Sequence, residues 1–305
     1  MQDPDLSFNP VVGVAEEIGP SVRRLLAPNP SPMTYRGTNT YLLGETDIAV
    51  IDPGPDDPKH LAAILAAIQP GQRISHVLVT HAHLDHSPLA ARLAAEVGCK
   101  VWAFGDAYAG RSSVMEGLAL GGLAGGGEGI DAGFVPDVYL ADGESVDAEG
   151  WSVVAHHTPG HFGNHLSFQF GDAVFSGDLV MGWATSLVSP PDGDLTDFMA
   201  SCAKLSALGA RVLYPGHGRE VTEPEARIAA LVAHRKGRER EILAALGEAE
   251  GNAMELALRI YTETPRALMG AASRNVFAHL VDLHGKSIVS AAPHLSSDAV
   301  FSLKS

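Results

Sequence analysis

The chain has few cysteines, no long apolar segment and few basic residues. Its two cysteines, Cys99 and Cys202, are too few and too far apart for a disulfide framework, and we interpret both as small buried apolar residues. No apolar run approaches the roughly 18 residues of a membrane-spanning helix. The start of the chain, MQDPDLSF, lacks the basic region of a signal peptide. We therefore expect a soluble, cytoplasmic protein with no membrane partner.

Basic residues are outnumbered by acidic ones, and the imbalance lies in one part of the chain. The 305 residues include 21 Lys or Arg and 36 Asp or Glu, which gives a formal net charge of -15. Residues 223–305 contain ten of each sign, so the whole excess lies in residues 1–222. A strongly acidic region repels long polyanions unless it carries a local basic groove. The charge therefore favours a small-molecule substrate over nucleic acid.

One strand ends in a cluster of side chains that can bind a metal. The segment ISHVLVTHAHLDHS, residues 74–87, begins as a short β-branched apolar run of the kind found in buried strands. It ends in four such side chains within six residues, namely His81, His83, Asp85 and His86. Buried polar groups without partners cost about 1–3 kcal/mol each, and a metal ion would pair all four.

The spacing of these four side chains predicts two metal ions. Alternation along an extended segment puts His81 and His83 on one side. A turn at Leu84 would let Asp85 and His86 face the same cavity from a following helix. Two ligand pairs suggest two metals. Neutral imidazoles combined with carboxylates suit Zn²⁺, and Fe or Mn would also be accepted.

Strands alternate with helices through most of the chain, which predicts a layered α/β fold. We expect a hairpin over residues 40–51 and a helix over residues 58–68, with Asp57 as its N-cap. The glycine-rich segment 105–133 is either a mobile insertion that could cover a site or a solvent loop. After Glu223 the pattern becomes helical and ends in a short β-wing.

Three further turns each present one candidate ligand after a strand. The blocks TPGH, SGD and PGHG carry His161, Asp178 and His217. Regular strands hold the backbone there, while Pro and Gly in the turns let the ligands point into one cavity. Asp52, at the end of an earlier strand, either positions a ligand or is a turn residue. His165 either contacts substrate or a ligand, or ties its loop down with a hydrogen bond.

The blocks THAHLDH, TPGH, SGD and PGHG, in this order and each after a strand, resemble the metallo-β-lactamase superfamily. The resemblance covers roughly residues 35–220 and implies a four-layer αβ/βα sandwich, with two mixed sheets between helices. It also implies a complete set of ligands for two metals. These are His81, His83 and His161 for one metal, Asp85, His86 and His217 for the other, and Asp178 as the bridge.

The segment after Glu223 resembles the winged-helix-like C-terminal region of the lactamase-beta-2-like subfamily, one branch of which is an endoribonuclease. We predict a catalytic domain over residues 1–222 and a small helical, winged-helix-like region over residues 223–305. The chain departs from the subfamily in its glycine-rich insertion. Formation of a homodimer is a further hypothesis.

The predicted activity is hydrolysis of a small acyl thioester, ester or lactone. A hydroxide that bridges the two metals would attack the carbonyl, and Asp85 would act as a ligand and as a proton carrier to the leaving group. Apolar side chains beside the ligand loops would line a pocket or belong to the core. They are Tyr35, Phe162, Met181 and Trp183.

Three other functions compete with this one. A single-strand endoribonuclease is supported by the C-terminal resemblance and by four basic residues, namely Arg235, Lys236, Arg238 and Arg240. Glu239 and Glu241 partly cancel their charge. A redox enzyme with a single iron would leave Asp85 and His86 superfluous. A binding protein with a decayed site would not need a complete ligand set.

Overall fold

Two mixed β-sheets lie at the centre of the computed structural model, which describes residues 7–126 and 129–304. Most of the acidic start and part of the glycine-rich segment lie outside these ranges, as residues 1–6, Gly127 and Glu128. The seven-stranded sheet follows chain order and consists of β1 Glu16–Gly19, β2 Val22–Leu26, β3 Asn39–Leu43, β4 Asp47–Ile51, β5 Arg73–Leu78, β6 Lys100–Ala103 and β7 Val138–Tyr139. Its first four strands pair antiparallel, and β4 to β7 pair parallel.

The second sheet has five strands. They are β8 Ser145–Ala148, β9 Trp151–His157, β10 Leu166–Phe170, β11 Ala173–Gly177 and β12 Val212–Pro215, in the spatial order β12-β11-β10-β9-β8. All its pairs are antiparallel except β11 with β12. The carboxyl ends of β11 and β12 therefore point to the same edge of the sheet.

The expected hairpin over residues 40–51 is confirmed as β3 and β4, in which Tyr41 pairs with Ile51. Side chains of a strand alternate between its two faces. Leu42 and Val50 pack in the core between this sheet and its outer helices. Tyr41 and Ile51 pack in the core between the two sheets. Both faces of this sheet are thus covered, which explains why these strands are apolar along their whole length.

Helices cover the outer face of each sheet. The helices are α1 Pro58–Ala66, α2 Ala90–Val97, α3 Ser113–Leu120, α4 Leu195–Ala207, α5 Pro224–Glu248, α6 Ala253–Ile260 and α7 Met269–Gly285. Helices α1 and α2 pack on the seven-stranded sheet, while α4 and the first half of α5 pack on the other. Asp57 caps α1 as expected, since its carboxylate accepts the N–H groups of Lys59 and His60. The result is the predicted four-layer αβ/βα sandwich.

The C-terminal region is a helical module with a β-wing, as predicted. Helices α6 and α7 share a core with the hairpin of β13 Val289–Ala292 and β14 Val300–Leu303. The long helix α5 belongs to two cores, because Leu231 packs beneath the five-stranded sheet and Leu246 packs in the C-terminal module. The boundary between residues 222 and 223 stays a prediction. Within the described ranges, no helix is long and apolar enough to cross a membrane.

The glycine-rich segment 105–133 packs against the rest of the protein in both of its described parts, residues 105–126 and 129–133. Met115 and Leu118 of α3 enter the core of the C-terminal module. Near the other end, Ile130 forms a β-bridge with His83, one of the candidate ligands. The described part of the segment therefore connects the metal-binding turn with the C-terminal module and is not a free solvent loop.

Candidate metal centre

The first four candidate ligands directly follow β5. The strand ends at Leu78, and a tight turn follows in which the N–H groups of His86 and Ser87 both donate to the carbonyl of His83, at 3.0 and 3.1 Å. This turn carries Asp85 and His86. It brings them back towards His81, which precedes the turn, and His83, which begins it.

The helix expected directly after Leu84 begins later, at Ala90. A helix that included His86 would use the His86 carbonyl to accept the N–H of residue 90. That carbonyl instead accepts the N–H of Gly54 at 3.0 Å, and the N–H of Ala90 donates to the Ser87 carbonyl. Asp85 and His86 therefore project from a turn that is tied to the end of the neighbouring strand.

The other three candidate ligands follow strands of the five-stranded sheet. His161 lies in the loop after β9, Asp178 directly follows β11, and His217 lies two residues after β12. A Cβ atom at Gly216 would lie 2.3 Å from Asp178 Oδ1 and 2.7 Å from His86 Cε1. The PGHG turn therefore requires glycine, because the cluster itself fills the space beside it.

All seven predicted side chains come together in one buried cluster. Atoms that could bind a metal, all within 4.8 Å of one another, define three overlapping groups: His81, His83 and His161; Asp85, His86 and His217; and His81, His86 and Asp178. In the first group, His83 Nδ1 lies 3.0 Å from His81 Nε2 and 3.1 Å from His161 Nε2. Three ring nitrogens thus face a single point.

The second group has the same form, with a carboxylate in place of one imidazole. Asp85 Oδ2 lies 3.1 Å from His217 Nε2 and 3.3 Å from His86 Nε2. Asp178 Oδ2 lies 3.3 Å from His217 Nε2 and 3.7 Å from His161 Nε2, so this carboxylate is adjacent to both groups.

The outer ring nitrogens define the tautomers of two of these histidines. His161 Nδ1 lies 2.7 Å from the carbonyl of Leu187, and His217 Nδ1 lies 3.2 Å from the carbonyl of Gly37. A carbonyl can only accept, so both Nδ1 atoms carry the hydrogen. Their Nε2 atoms in the cluster are therefore lone-pair acceptors when the rings are neutral.

Asp52 and Thr80 impose the same tautomer on two more histidines. His86 Nδ1 donates to Asp52 Oδ2 at 2.9 Å. Thr80 Oγ1 donates to the same carboxylate at 2.7 Å, which leaves its oxygen to accept from His81 Nδ1 at 3.0 Å. In their neutral form, these four histidines all present a hydrogen-free Nε2 to the cluster, which is the form that binds a metal cation.

The two groups differ in their electrostatics. Burial lowers the pKa of His83 to about 3, and burial also lowers the pKa of His81 well below its ordinary value. Burial opposes protonation of His217 as well, but the carboxylates of Asp178 and Asp85 outweigh it and raise the pKa of His217 to about 10. The acidic half of the cluster therefore attracts positive charge.

The donor set fits a divalent metal. Zinc bonds of about 2.0–2.2 Å in a tetrahedral site separate the ligand atoms by roughly 3.3–3.6 Å. The separations described above run from 3.0 to 3.7 Å. In the part of the chain that the structure describes, Asp85 Oδ1 and Asp178 Oδ1 are buried without a hydrogen-bond partner. A cation would compensate both carboxylates.

Residues around the cluster hold the candidate ligands in place. Asp52, for which the sequence left two roles open, contacts His86 and Thr80 and adopts a left-handed backbone conformation with φ of 50°. His165 is fully buried; its Nδ1 contacts Thr158 Oγ1 and its Nε2 accepts the backbone N–H of Asp178 at 3.2 Å. It therefore positions Asp178 and does not reach a substrate.

Sequence reasoning missed three groups that orient the histidines. Thr80 and the backbone carbonyls of Gly37 and Leu187 each contact an outer ring nitrogen. Thr80 could have been suspected as a polar neighbour of His81 at the strand end. The two carbonyls leave no signal in a sequence, since every residue carries one.

An apolar cavity of about 330 Å³ lies against the cluster. Five of the seven candidate ligands form one part of its wall, namely His83, Asp85, His161, Asp178 and His217. Of the predicted pocket residues, Met181 and Trp183 line it. Tyr35 stacks on Trp183 with ring centroids 5.0 Å apart, and Phe162 is a core residue against His83.

The C-terminal module forms another part of the cavity wall, through Tyr261, Leu268, Ala272 and Asn275. No described residue of the glycine-rich segment lines it. The module that follows the sandwich therefore takes part in shaping the substrate space.

The basic residues that supported a ribonuclease do not form one exposed surface. Arg235 is buried, and its Nη2 donates to the carbonyl of Ser186. Arg238 pairs with Glu241, and its Cζ lies 4.1 Å from the ring centre of Tyr261. Only Lys236 and Arg240 of the four are exposed, as the burial pattern of α5 shows.

Sequence comparison agrees with this geometry. The sequence model described as "Metallo-beta-lactamase superfamily" matches residues 33–217, and the one described as "Beta-lactamase associated winged helix domain" matches residues 253–292. The chain belongs to the metallo-beta-lactamase superfamily. It is therefore a hydrolase of that superfamily, with a cluster of His and Asp side chains suited to a divalent metal.

Relatives in the superfamily cover most of the chain. The "Beta-lactamase-like protein 2 homolog" of Drosophila melanogaster is 33% identical over 274 residues, which cover 86% of this chain and 87% of that protein. The "Atrochrysone carboxyl ACP thioesterase" of Aspergillus fumigatus is 33% identical over 240 residues, 75% of this chain and 66% of that one. The crystal structure of a beta-lactamase domain protein from Burkholderia ambifaria superposes on this chain with a TM-score of 0.80 at 22% sequence identity. The superposition covers 99% of this chain and 97% of the Burkholderia chain. At that identity the superposition supports the fold alone.

Proposed function

We propose that the enzyme is a dinuclear metal-dependent hydrolase of a small acyl thioester, ester or lactone. The observation that carries this proposal is the apolar cavity whose wall includes five of the seven candidate ligands. An apolar cavity of this volume suits a small acyl group. A relative named as an acyl carrier protein thioesterase supports thioesters within this class.

The proposed ligand assignment follows the two buried groups. His81, His83 and His161 would hold one metal; Asp85, His86 and His217 would hold the other; Asp178 would bridge them. Zn²⁺ is our first choice because the set combines five imidazoles with two carboxylates, and Fe or Mn would also be accepted. When bound, such ions polarise a carbonyl and make hydroxide available at neutral pH.

The protein side chains then have two tasks. The cavity walls orient the acyl group and exclude water from its apolar part, which lowers the entropic cost of the reaction. Asp85 has one oxygen, Oδ2, directed at His217 and His86, while Oδ1 has no hydrogen-bond partner among the described residues. We assign Oδ1 as the group that would accept the proton released by the attacking water and pass it to the leaving thiolate or alkoxide.

A panel of substrates tests the reaction. Metal-loaded enzyme should hydrolyse short acyl thioesters, esters or lactones, and Asp178→Ala should lose at least about 100-fold in kcat/KM while the far-UV circular dichroism stays the same. Full activity in Asp178→Ala would reject the assigned site.

The ribonuclease hypothesis is tested in the same assay. Single-stranded RNA should be neither cleaved nor bound in a salt-sensitive manner, because two of the four arginine and lysine residues that supported it are not exposed. Specific RNA cleavage that is lost in Asp178→Ala would favour the ribonuclease instead. The cytoplasmic location and the homodimer stay predictions.

A further inference from the structure

A buried arginine in the substrate cavity has no acidic partner. Arg235, on α5, is 4% exposed and lines the same cavity as His83 and Asp178. Its guanidinium donates to the carbonyl of Ser186 and, at 3.2 Å, to Asn275 Oδ1. Across the described ranges, no carboxylate lies within ion-pair distance of it.

Nearby acidic residues are already paired. Glu239 and Asp282 line a small adjacent cavity that Arg235 also lines, but both carboxylates bind Lys286, at 3.3 and 2.6 Å. The ring of Phe198 lies 5.2 Å from Arg235 Cζ and offers only a cation–π contact. Burial lowers the pKa of Arg235 to about 10, so the side chain is charged at neutral pH. A buried charge without a counter-ion is unfavourable, and an anion would stabilise it.

Hydrogen-bond donors are available in this part of the cavity. A guanidinium has five N–H groups, and the Ser186 and Asn275 contacts of Arg235 use two of them. The hydroxyl of Tyr261 lies close to Arg235, because Asn275, which accepts from Arg235, donates its Nδ2 hydrogen to this hydroxyl at 3.4 Å. Tyr261 and Asn275 both line the cavity. Arg235 and Tyr261 thus place donors in a mainly apolar cavity wall, apart from the metal cluster.

We infer that Arg235, with Tyr261 beside it, binds an anionic oxygen group of the substrate. The enzyme would then select acyl compounds that carry a second, anionic group in addition to the bond that is hydrolysed. This inference rests on the proposed function. The anionic group has two chemical sources, a carboxylate on the acyl chain or a phosphate on the thiol carrier, and the experiment separates them.

The first test compares two thioesters that differ only in a terminal carboxylate. The glutaryl and pentanoyl thioesters of N-acetylcysteamine have equal chain length and a neutral thiol. The measured quantity is kcat/KM for the glutaryl thioester divided by kcat/KM for the pentanoyl thioester, with the metal-loaded full chain. We expect Arg235→Met to lower this ratio roughly 10- to 100-fold, mainly through a higher KM for the glutaryl thioester. Arg235→Lys keeps the charge but loses the planar guanidinium, so its ratio should lie between those of the wild type and Arg235→Met.

Arg227 provides a matched control on the same helix. It lies about two turns before Arg235 and ties down the same loop, because its Nε donates to the Met181 carbonyl at 2.7 Å and its Nη2 to the Ala184 carbonyl at 2.6 Å. It does not line the cavity. Arg227→Met should therefore keep the wild-type ratio. If Arg235→Met also keeps that ratio, while losing activity on both substrates alike, Arg235 only holds the loop and the carboxylate arm fails.

A second arm tests the phosphate source. The pentanoyl thioester of phosphopantetheine is compared with that of N-acetylcysteamine, and a ratio that falls in Arg235→Met but not in Arg227→Met assigns the arginine to the carrier phosphate. If neither ratio responds to Arg235→Met, the inference is wrong even though the enzyme is a thioesterase.

Failure of the proposed function gives a different result. If the wild type hydrolyses no thioester, binding of glutaric acid monoamide is measured by tryptophan fluorescence, to which Trp183 in the cavity wall contributes. Binding that weakens roughly 10-fold or more in Arg235→Met supports the anion site. Equal binding by both proteins, or binding by neither, overturns it.

Discussion

Individual residues that surround the cluster orient the candidate ligands through hydrogen bonds. Asp52 is the clearest example, since its carboxylate accepts three hydrogens, from the Thr80 N–H, the Thr80 hydroxyl and His86 Nδ1. Its left-handed φ of 50° costs free energy that these contacts repay. The residue joins two loops that are 28 or more positions apart in the sequence.

Replacing Asp52 should weaken metal binding. In Asp52→Asn, an amide with one acceptor oxygen and two donors cannot satisfy three donors, so His86 loses its orientation. We expect the metal affinity to fall about 10- to 100-fold, measured by competition with a chromogenic chelator. Asp56→Asn is the control, because Asp56 lies in the same loop and forms only an exposed pair with Arg92. Equal affinity in Asp52→Asn and the wild type would contradict the role assigned to Asp52.

Gly216 should be intolerant of any side chain. The new Cβ of Gly216→Ala would lie 2.3 Å from Asp178 Oδ1, so the carboxylate must move. We expect activity to fall at least about 100-fold with little change in the melting temperature, since the displaced group belongs to the site and not to the core. Gly247→Ala, on α5 with nothing within 4 Å of the added Cβ, should keep full activity. An active Gly216→Ala would show that Asp178 is free to shift.

At the scale of elements, the C-terminal helices complete the cavity that the sandwich begins. Helix α7 places Ala271, Ala272 and Asn275 along the cavity wall, and α5 contributes Arg235. Helix α7 also packs in the same core as Leu118 of α3, so the glycine-rich segment supports the module. The substrate range of the enzyme should therefore depend on residues outside the sandwich.

Narrowing the cavity from α7 tests this dependence. Ala271 is exposed but lines the cavity, so Ala271→Trp adds volume there without filling the core. We expect kcat/KM for hexanoyl or octanoyl thioesters to fall roughly 10-fold while that for acetyl thioesters stays nearly constant. The exposed Ala230 on α5 does not line the cavity, so Ala230→Trp should leave kcat/KM unchanged for the long and the acetyl thioesters. A uniform loss, or none, in Ala271→Trp would exclude this wall from the substrate site.

Helix α7 also carries a buried histidine that should make the fold sensitive to acid. His279 is 1% exposed, and neither ring nitrogen has a hydrogen-bond partner among the described residues. Burial first, and then the charges of Arg235 and Arg238, lower its pKa to about 3. In the unfolded chain the pKa is about 6.5, so the folded state binds fewer protons and loses stability as the pH falls from about 6.5 towards 3.

The sign of this effect can be measured directly. In His279→Leu the proton-linked term disappears, so the free energy of unfolding of the wild type should fall by about 2 kcal/mol more than that of the variant between pH 7 and pH 5. Urea unfolding at each pH gives both curves. Parallel curves for the two proteins would mean that the pKa of His279 is the same in the folded and unfolded states, which would contradict the effect of burial.

At the scale of the whole molecule, the fold and the convergence of the candidate ligands were predictable from the sequence. The alternation of apolar strands and helices predicted the layers, and each ligand block follows a strand. The start of the helix after Leu84 was not predictable, because the Gly54 N–H that competes for the His86 carbonyl lies 32 positions away. The same holds for the burial of Arg235, which the sequence offered only as one of four basic residues that supported a ribonuclease. Its burial depends on α7 and on the loop at Ser186, which no local pattern places beside it.

The charge distribution of the molecule favours the binding of cations over that of polyanions. The formal charge of -15 lies in the part of the chain that contains the cluster, so cations are attracted to it and polyanions are repelled. Two divalent ions would offset four of these charges. The acidic surroundings and the neutral balance of the C-terminal region both agree with a small substrate better than with RNA.

The central claim is that seven side chains from two sheets hold two divalent ions, and the metal content of the purified protein tests it most directly. Protein reconstituted with Zn²⁺ and freed of unbound metal should contain about two equivalents per chain by elemental analysis, and hydrolytic activity should rise with that content. A saturating content of one equivalent or none would contradict the account.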